Sequence, residues 1–278
     1  MINRQVVTQG DFLRLDRTHW MMRGLQGWWP LQEGAGETAF DISGKGRHGT
    51  LTNMAPDSDW VVGQRGGYSL DFPGTTERYI AIPDYVEDAG GTGYTFCCWF
   101  NKDDGVTHGL FGNSDNNNKR HLVFIRSTGT IDGIFGDGGA QYNVSNDGST
   151  LSNGVWHHVA LALDFKGTCV RYLDGVQTGT VDSMAGLDFI DTPNFGEALG
   201  ARKRSSTTTD VESNGRMFDA RHWNRKLSAS EIREVYLNPW APLSTKSKTF
   251  LTVSAPSAPG IIYNQRQILI KNQKLILK

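Results

Sequence analysis

Short runs of alternating apolar and polar residues follow one another along most of the chain, with turns rich in Gly, Asn and Asp between them. Successive side chains of a strand point to opposite faces of a sheet, so a period of two is typical of half-buried β-strands. Many short strands joined by turns predict an all-β antiparallel sandwich rather than a helical protein. The clearest strand runs are Leu25–Pro30, Tyr68–Phe72, Tyr79–Ile82, Tyr94–Asn101 and Gly215–Asn224.

The segment Trp156–Val181 predicts a three-stranded antiparallel meander. Lys166-Gly167 and Asp174-Gly175 each lie between β-rich runs, and Asp-Gly suits a type I′ turn, in which both central residues take positive φ. His157 and His158 then fall on opposite faces of the first strand. This placement favours packing or surface roles for both histidines over metal binding.

One short helix is predicted after the last strand run. Ser228 and Glu231 have the spacing of a capping box with Ser228 as N-cap. Ile232 and Val235–Tyr236 supply a stripe for burial. Asn238-Pro239 ends the helix, because proline cannot continue it.

Composition narrows the functional classes. The net charge is −1, which gives no electrostatic argument for binding nucleic acid or an anionic membrane. No apolar run approaches the roughly 20 residues of a membrane helix. We therefore expect neither nucleic acid nor a membrane as a partner.

The three cysteines predict buried thiols rather than disulfides. Cys97 and Cys98 are adjacent and point to opposite faces, and Cys169 leaves an odd count, so a disulfide framework is not expected. Cys98 shares a face with Phe96 and Phe100, as a plain core thiol does. No C-x₂-C pair occurs, which argues against structural zinc.

Four segments are predicted from changes in composition. Residues 1–23 form a polar arm, 24–243 the sandwich, and 244–260 a linker rich in Ser, Thr, Lys and Pro. Residues 261–278 form a basic tail without acidic residues, whose alternation predicts a small hairpin or a long strand. Alone, such a strand would be an unpaired edge that is prone to aggregation. We therefore expect it to pair with another strand.

Three stretches carry a family resemblance. Gly24–Leu51 reads GLQGWWPLQEGAGETAFDISGKGRHGTL, Val155–Gly175 reads VWHHVALALDFKGTCVRYLDG, and Phe218–Tyr236 reads FDARHWNRKLSASEIREVY. In content and order they resemble the opening loop, the central hairpin and the closing strand and helix of the laminin-G-like jelly rolls of the concanavalin A-like lectin/glucanase superfamily. The resemblance covers roughly Leu25 to Pro242 and implies a lectin-like β-sandwich. This superfamily includes binding modules, enzymes and inert structural modules, so the resemblance alone does not select a function.

A calcium site is one interpretation of the glycine-rich loop. Four glycines from Gly36 to Gly49, both included, favour tight turns that expose carbonyls. Asp41 adds a carboxylate, and both kinds of oxygen are ligands that Ca²⁺ takes. The alternative is that Asp41 only forms a turn. By resemblance, a calcium ion would be bound by Asp41, carbonyls near Gly46, and Asp219 of the closing strand.

The residues expected for catalysis are missing. Glucanase relatives are expected to carry an E-x-D-x-(x)-E strand motif that supplies nucleophile and acid/base. No glutamate of this chain has Asp two positions on, and no H-E-x-x-H, P-loop or G-x-S-x-G motif occurs. We therefore expect a protein without enzymatic activity.

Two groups of residues are candidates for ligand binding. Sugar sites on sandwiches combine exposed aromatic rings with polar groups. The aromatic candidates are Trp60, Tyr85, Tyr142 and Trp223, with a core role as the alternative for each. The Arg202-Lys203-Arg204 run is either a solvated loop tip or part of an anion site.

Three functions fit these expectations. The first is a structural protein of a virion, a phage capsid decoration or tail-associated protein, which displays the sandwich for glycan or host-surface binding. The arm 1–23 and tail 261–278 would then bind other virion proteins and further copies of the chain, in a homo-oligomer such as a trimer. The N-terminus has no export signal, which favours release with a virion. The alternatives are a carbohydrate-binding adhesin at a cell surface and, less favoured, a polysaccharide-degrading enzyme.

Overall fold

A computed structural model describes residues 12–64, 67–75, 77–84, 91–246, 269–271 and 274–276. The chain divides into two compact units, one formed by Thr18–Trp240 and the other by Met1–Arg17 with Ala241–Lys278. The larger unit is a sandwich of two sheets, antiparallel except for one bridge, that matches the all-β prediction.

The first sheet, here called the long sheet, has ten strands. Eight run side by side in the order β12-β11-β10-β9-β16-β7-β4-β3, while β17 pairs with β18 and with β9. Their bounds are β3 Thr38–Ala39, β4 Gly49–Thr52, β7 Tyr79–Ile82, β9 His108–Ser114, β10 Arg120–Ile125, β11 Ile131–Gly136, β12 Gln141–Asn143, β16 Glu197–Leu199, β17 Arg202–Lys203 and β18 Thr209–Asp210.

The second sheet, here called the short sheet, has eight strands. Seven follow the order β15-β14-β13-β8-β19-β6-β5, and β2 pairs with β19. Their bounds are β2 Leu25–Trp29, β5 Trp60–Val62, β6 Tyr68–Pro73, β8 Gly93–Lys102, β13 His157–Asp164, β14 Thr168–Leu173, β15 Val176–Ser183 and β19 Asn214–Trp223. The central strands β8 and β19 are each ten residues long.

The core lies between the two sheets and is rich in aromatic rings. Phe96 of β8 stacks on Phe111 of β9 with ring centroids 5.0 Å apart, and Trp29 lies 5.9 Å from the same ring. Cys98 is buried in this core, as its shared face with Phe96 predicts. Burial of this many large side chains supplies the main stabilising term of the fold.

The meander and the helix agree with the sequence predictions. Strands β13, β14 and β15 pair in order, and Asp174 and Gly175 take φ of 52° and 76° at the second turn, as a type I′ turn requires. Helix α1 spans Ala229–Leu237, with both hydrogen bonds of the predicted capping box and Asn238 as C-cap. A 3₁₀ turn, Trp20–Met22, also belongs to the larger unit, although the sequence predicts an arm there.

The described residues of the smaller unit include two antiparallel strand pairs. Strand β1, Phe12–Leu15, pairs with β20, Leu243–Lys246, so the ends of the chain supply strands to each other. Strand β21, Leu269–Lys271, pairs with β22, Lys274–Ile276, which confirms the predicted hairpin in the tail. Within the described residues, no helix has the length and apolar character needed to cross a membrane.

Candidate functional site

The glycine-rich loop is organised around the Asp41 carboxylate. Its Oδ1 accepts hydrogen bonds from the backbone N–H groups of Trp28, at 3.0 Å, and Ser43, at 2.8 Å. Its Oδ2 accepts from Ser43 Oγ and from the Arg47 N–H, each at 2.9 Å. The Asp41 N–H in turn donates to His48 Nδ1 at 3.0 Å. Asp41 therefore fixes both ends of the loop, as a turn-forming residue does.

Asp219 lies on the opposite side of Trp28 and is paired with an arginine. Its Oδ1 accepts from Trp28 Nε1 at 2.8 Å, and both of its oxygens accept from Arg221, at 2.8 and 2.9 Å. The Arg221 guanidinium also lies 4.0 Å from the centroid of the Trp28 ring and donates to the Pro239 carbonyl. Trp28 thus joins the two predicted metal ligands through its backbone and its indole.

This arrangement does not suit a calcium site. N–H and O–H donors already occupy both oxygens of Asp41, and the buried positive charge beside Asp219 is a guanidinium. The loop geometry agrees with the prediction at Gly46, which takes φ of 73°. Among the described residues, no three His, Cys, Asp or Glu side chains are grouped as metal ligands. Calcium binding by Asp41, Gly46 and Asp219 stays a prediction that requires these donors to be displaced.

Exposed aromatic rings lie on and beside the same loop, Phe40 next to His48 and Tyr68 over Gly34, and are here together called the Phe40–Tyr68 surface. Phe40 is 52% exposed and Tyr68 44% exposed. The Phe40 ring meets His48 edge-on at 5.5 Å, and the Tyr68 ring packs against the backbone of Gly34. Because His48 Nδ1 accepts the Asp41 N–H, the neutral imidazole carries its proton on Nε2, which can donate to a ligand.

Hydrogen bonds from side chains to the backbone hold this surface in place. Glu33 Oε1 accepts the Phe40 N–H at 2.8 Å, and burial raises the pKa of the Glu33 carboxyl. Gln32 bonds both the N–H and the carbonyl of Tyr68. Trp60 Nε1 donates to the Gly36 carbonyl at 2.9 Å. A ligand would meet rings on a backbone that is already fixed, which lowers the entropic cost of binding.

The predicted aromatic candidates have different positions. Trp223 is fully buried and donates from Nε1 to the Met21 carbonyl, and Trp60 is 7% exposed. Neither can stack on a sugar, because each ring is covered by the fold. Tyr142 is half-buried, packs on the core and donates to Asp137 Oδ2 at 3.2 Å. Tyr85 lies outside the described residues.

The Arg202-Lys203-Arg204 run divides between two environments. Lys203 is buried, with its ammonium 5.9 Å from the Tyr79 ring centroid, and burial lowers its pKa. Arg202 pairs with both oxygens of Asp210 at 2.5 and 2.6 Å. Arg204 bonds the β9–β10 turn. The prediction of a solvated loop tip is therefore wrong for Lys203, since strand alternation turns it away from its neighbours.

A buried polar cluster lies between the sheets. His121 of β10 hydrogen-bonds Glu197 of β16 and Tyr94 of β8, and all three are at most 1% exposed. His222 of β19 packs on Tyr94 with ring centroids 4.6 Å apart. Burial, with His121 and Arg47 as further causes, holds the pKa of His222 well below its usual value. His222 is therefore neutral in the folded protein at pH 7.

One histidine–aspartate pair has the geometry of a catalytic dyad without its nucleophile. His157 Nδ1 bonds Asp174 Oδ2 at 2.8 Å, and Asp174 Oδ1 accepts the His158 N–H. No side chain of the described residues hydrogen-bonds His157 Nε2. Because Asp174 also forms the β14–β15 turn, the pair fits a structural role.

Two facing, essentially antiparallel sheets, closed by a short helix, define a lectin-like jelly-roll sandwich. A laminin-G family model, described as the concanavalin A-like lectin/glucanases superfamily, matches residues 73–233, more than half of the chain. The chain belongs to this superfamily. Comparison with curated protein sequences gives no significant match.

Solved structures share the fold at low sequence identity. The binding domain of Paraclostridial Mosquitocidal Protein 1 aligns with a TM-score of 0.59 and 14% identity over 78% of this chain and 52% of that one. The botulinum neurotoxin serotype D binding domain gives 0.57 and 14% over 78% and 52%. Domain 4 of AbnA, a GH43 extracellular arabinanase from Geobacillus stearothermophilus, in complex with arabinotriose, gives 0.54 and 19% over 76% and 98%. This chain spans about half the length of the toxin domains.

The sequence did not identify the Phe40–Tyr68 surface. Phe40 directly follows the buried Ala39 and precedes the buried Asp41, so strand alternation turns its ring outward. An exposed phenylalanine inside a glycine-rich loop was a signal available from the sequence. The exposure of Tyr68 was not, because it depends on how β5 and β6 end.

Proposed function

We propose that the sandwich is a non-catalytic binding module for glycans and that the Phe40–Tyr68 surface is its sugar-binding site. The observation that carries this proposal is the pair of exposed rings, Phe40 and Tyr68, on backbone fixed by Glu33 and Gln32. Aromatic faces pack on the C–H faces of sugar rings, while His48 Nε2 and the Tyr68 hydroxyl offer polar contacts to hydroxyl groups. The near-complete overlap with an arabinanase domain in complex with arabinotriose supports a sugar ligand.

A non-catalytic role is supported by two carboxylates of this segment, Asp41 and Glu33. The Asp41 oxygens are occupied by backbone and hydroxyl donors, and Glu33 Oε2 is buried. Glycoside hydrolysis needs two carboxyl groups that reach the scissile bond from opposite sides. Neither carboxylate has an oxygen available for that chemistry.

The double variant Phe40→Ala/Tyr68→Ala is expected to lose at least tenfold in affinity for a glycan that the wild type binds, starting with arabinotriose on an array of neutral and acidic oligosaccharides. Its melting temperature should change little, because both rings are exposed. Phe189→Ala removes an equally exposed ring elsewhere, 46% exposed, and should leave affinity unchanged. Calorimetric titration measures both. Wild-type affinity in the double variant, or no binding to any sugar on the array, would contradict the proposal.

We further propose that the module is displayed on an assembled particle, a phage virion, and that the tail joins it to neighbouring subunits. The supporting observation is the β21–β22 hairpin, a sheet of two strands in the part of the tail that the structure describes. Two-stranded hairpins are marginally stable in water, so further strands of a partner would complete the sheet. This module would carry the glycan-binding surface to the outside of the particle.

Deletion of residues 247–278 tests the display proposal while keeping the β1–β20 pair. The truncated chain should keep its β-sheet circular dichroism and fall from a homo-oligomer to a monomer in light scattering. Ile270→Pro keeps the tail but takes one backbone N–H donor out of β21, and should have the same effect. A full-length chain that is already monomeric and unchanged by truncation would refute assembly through the tail.

A further inference from the structure

Three arginines, here called the arginine face, lie near one another beside the β9–β10 turn of the long sheet. Arg120 begins β10, and Arg202 and Arg204 lie in and just after β17, which pairs with β9. Arg120 and Arg204 both bond the turn between β9 and β10. Phe40 directly follows β3, the strand at one edge of the same sheet. In the sheet order, β3 lies four strands away from β9. The arginine face is therefore separate from the Phe40–Tyr68 surface.

The guanidinium groups of Arg120 and Arg204 are held by neutral oxygen atoms. Arg204 donates to Ser114 Oγ at 2.8 Å and to Asn116 Oδ1 at 2.9 Å. Arg120 donates to Gln141 Oε1 at 2.7 Å and to the Asp115 carbonyl at 3.0 Å. These contacts fix both side chains, and none of the four oxygen atoms carries a charge.

The carboxylates near these arginines already accept hydrogen bonds from other groups. Asp210 binds Arg202 through both oxygens and lies 3.9 Å from Arg204 Nε. The Asp115 carboxylate accepts the backbone N–H groups of its own turn at Asn117 and Lys119. The three arginines therefore have two carboxylates nearby: Asp210, which Arg202 and Arg204 share, and Asp115, which is hydrogen-bonded within its own turn. Burial lowers the pKa of Arg120, and the charges of Arg204 and Arg202 lower it further.

We propose that Arg120 and Arg204 bind the carboxylate or sulfate groups of an acidic polysaccharide. A guanidinium presents two parallel N–H groups that match the oxygens of either anion, and fixed side chains lose little entropy on binding. A bound anion would also relieve the repulsion among the three arginines. Neutral amides beside them, Gln141 and Asn116, suit the hydroxyl groups of the same chain.

The favoured partner is a polysaccharide rather than a nucleic acid. A nucleic acid is attracted by a broad positive surface that neutralises many phosphates. This chain has a net charge of −1, and the next cation along the turn, Lys119, is paired with Asp191 at 3.0 Å. Two fixed guanidinium groups surrounded by amides fit spaced anionic sugars better than a continuous phosphate backbone.

Asn116→Asp/Gln141→Glu tests the site without removing an arginine. Each substitution is isosteric and places a carboxylate on the oxygen that Arg204 or Arg120 already contacts. Affinity for dextran sulfate and for polygalacturonate, measured by calorimetry in low salt, should fall at least tenfold. Arg120→Gln/Arg204→Gln should have the same effect. Gln177→Glu/Val181→Glu adds two charges to β15 on the short sheet and should leave affinity near that of the wild type.

Neutral dextran and a short DNA duplex complete the experiment. The proposal expects no binding to dextran and weaker binding to DNA than to either acidic polysaccharide. It is overturned if the wild type binds neither polysaccharide, if the Asn116→Asp/Gln141→Glu variant binds as tightly as the wild type, or if DNA binds more tightly. Binding of arabinotriose is measured on the same variants, so failure here is distinguishable from failure of the Phe40–Tyr68 proposal.

Discussion

Arg221→Met is expected to destabilise the protein by about 3–5 kcal/mol, the range found when one partner of a buried ion pair is removed. The Asp219 carboxylate is 0% exposed and receives two hydrogen bonds from the guanidinium. Methionine keeps the apolar stem over Trp28 but leaves the carboxylate without its positive charge. Chemical denaturation followed by tryptophan fluorescence measures the change.

Two further variants isolate the ion pair. Arg216→Met, on the same strand, removes an arginine that is 42% exposed and 3.8 Å from Asp71, and should cost no more than about 1 kcal/mol. Asp219→Asn/Arg221→Met should recover part of the loss, because it removes both charges and asparagine tolerates the positive φ of 53° at this position. Equal losses for Arg221→Met and Arg216→Met would show that the buried pair is not what stabilises the strand.

Thermal melting curves with added Ca²⁺ and with EGTA test the calcium prediction. A ligand that binds only the native state must stabilise it. A melting temperature that rises with added Ca²⁺ and falls with EGTA would mean that the ion displaces the donors around Asp41. No response would leave those donors as the connection between the opening and closing strands.

Acidification should destabilise the protein through His222. This histidine is buried and neutral, packed between Tyr94 and Phe111 with His121 and Arg47 nearby, and its pKa lies well below the usual value. The unfolded chain takes up a proton at about pH 6.5, so the unfolded state binds more protons below that pH. The contribution of neutral His222 to the free energy of unfolding is therefore fully present above pH 6.5. Below that pH it falls by up to about 1.4 kcal/mol per pH unit.

His222→Leu removes this proton uptake. Between pH 6.5 and pH 5 the variant should therefore lose about 2 kcal/mol less unfolding free energy than the wild type. His108, whose pKa burial also lowers, contributes in the same direction in both proteins and cancels in the comparison. Met217→Leu on the same strand perturbs the core without removing a titratable group, and should keep the wild-type slope. Parallel slopes for wild type and His222→Leu would show that His222 protonates equally in both states.

Local signals in the sequence carried most of the fold. The capping box at Ser228, the Asp174-Gly175 turn and the alternation in Tyr94–Asn101 act over a few residues, so they are readable without coordinates. The superfamily followed from three such stretches in order. These signals could not show which residues pack on the strand faces that point away from the core.

Trp28 and Trp29 illustrate this limit. Their opposite directions are predicted by alternation, and Trp29 does enter the core beside Phe111. Trp28 is equally buried, because Trp240 stacks on it with ring centroids 6.0 Å apart. That contact joins residues more than 200 positions apart, which no local pattern encodes.

The candidate sites depend on long-range contacts still more strongly. Arg120 and Arg204 meet only because β9 pairs with both β10 and β17. Asp219 is paired by Arg221 two residues away, yet the resemblance to the family led to a calcium prediction at that position. The sequence joined Asp41 and Asp219 only through the calcium prediction, and the hydrogen bonds of both to Trp28 required the structure.

The three thiols have a consequence for where such a protein can work. Cys97, Cys98 and Cys169 are fully buried, and burial raises the pKa of each thiol well above its usual value. Since the thiolate is the reactive form, oxidants and disulfide exchange find little to attack. The fold therefore depends neither on reducing conditions to protect its cysteines nor on oxidising conditions to cross-link them. A single folded form can pass between the two environments without chemical change.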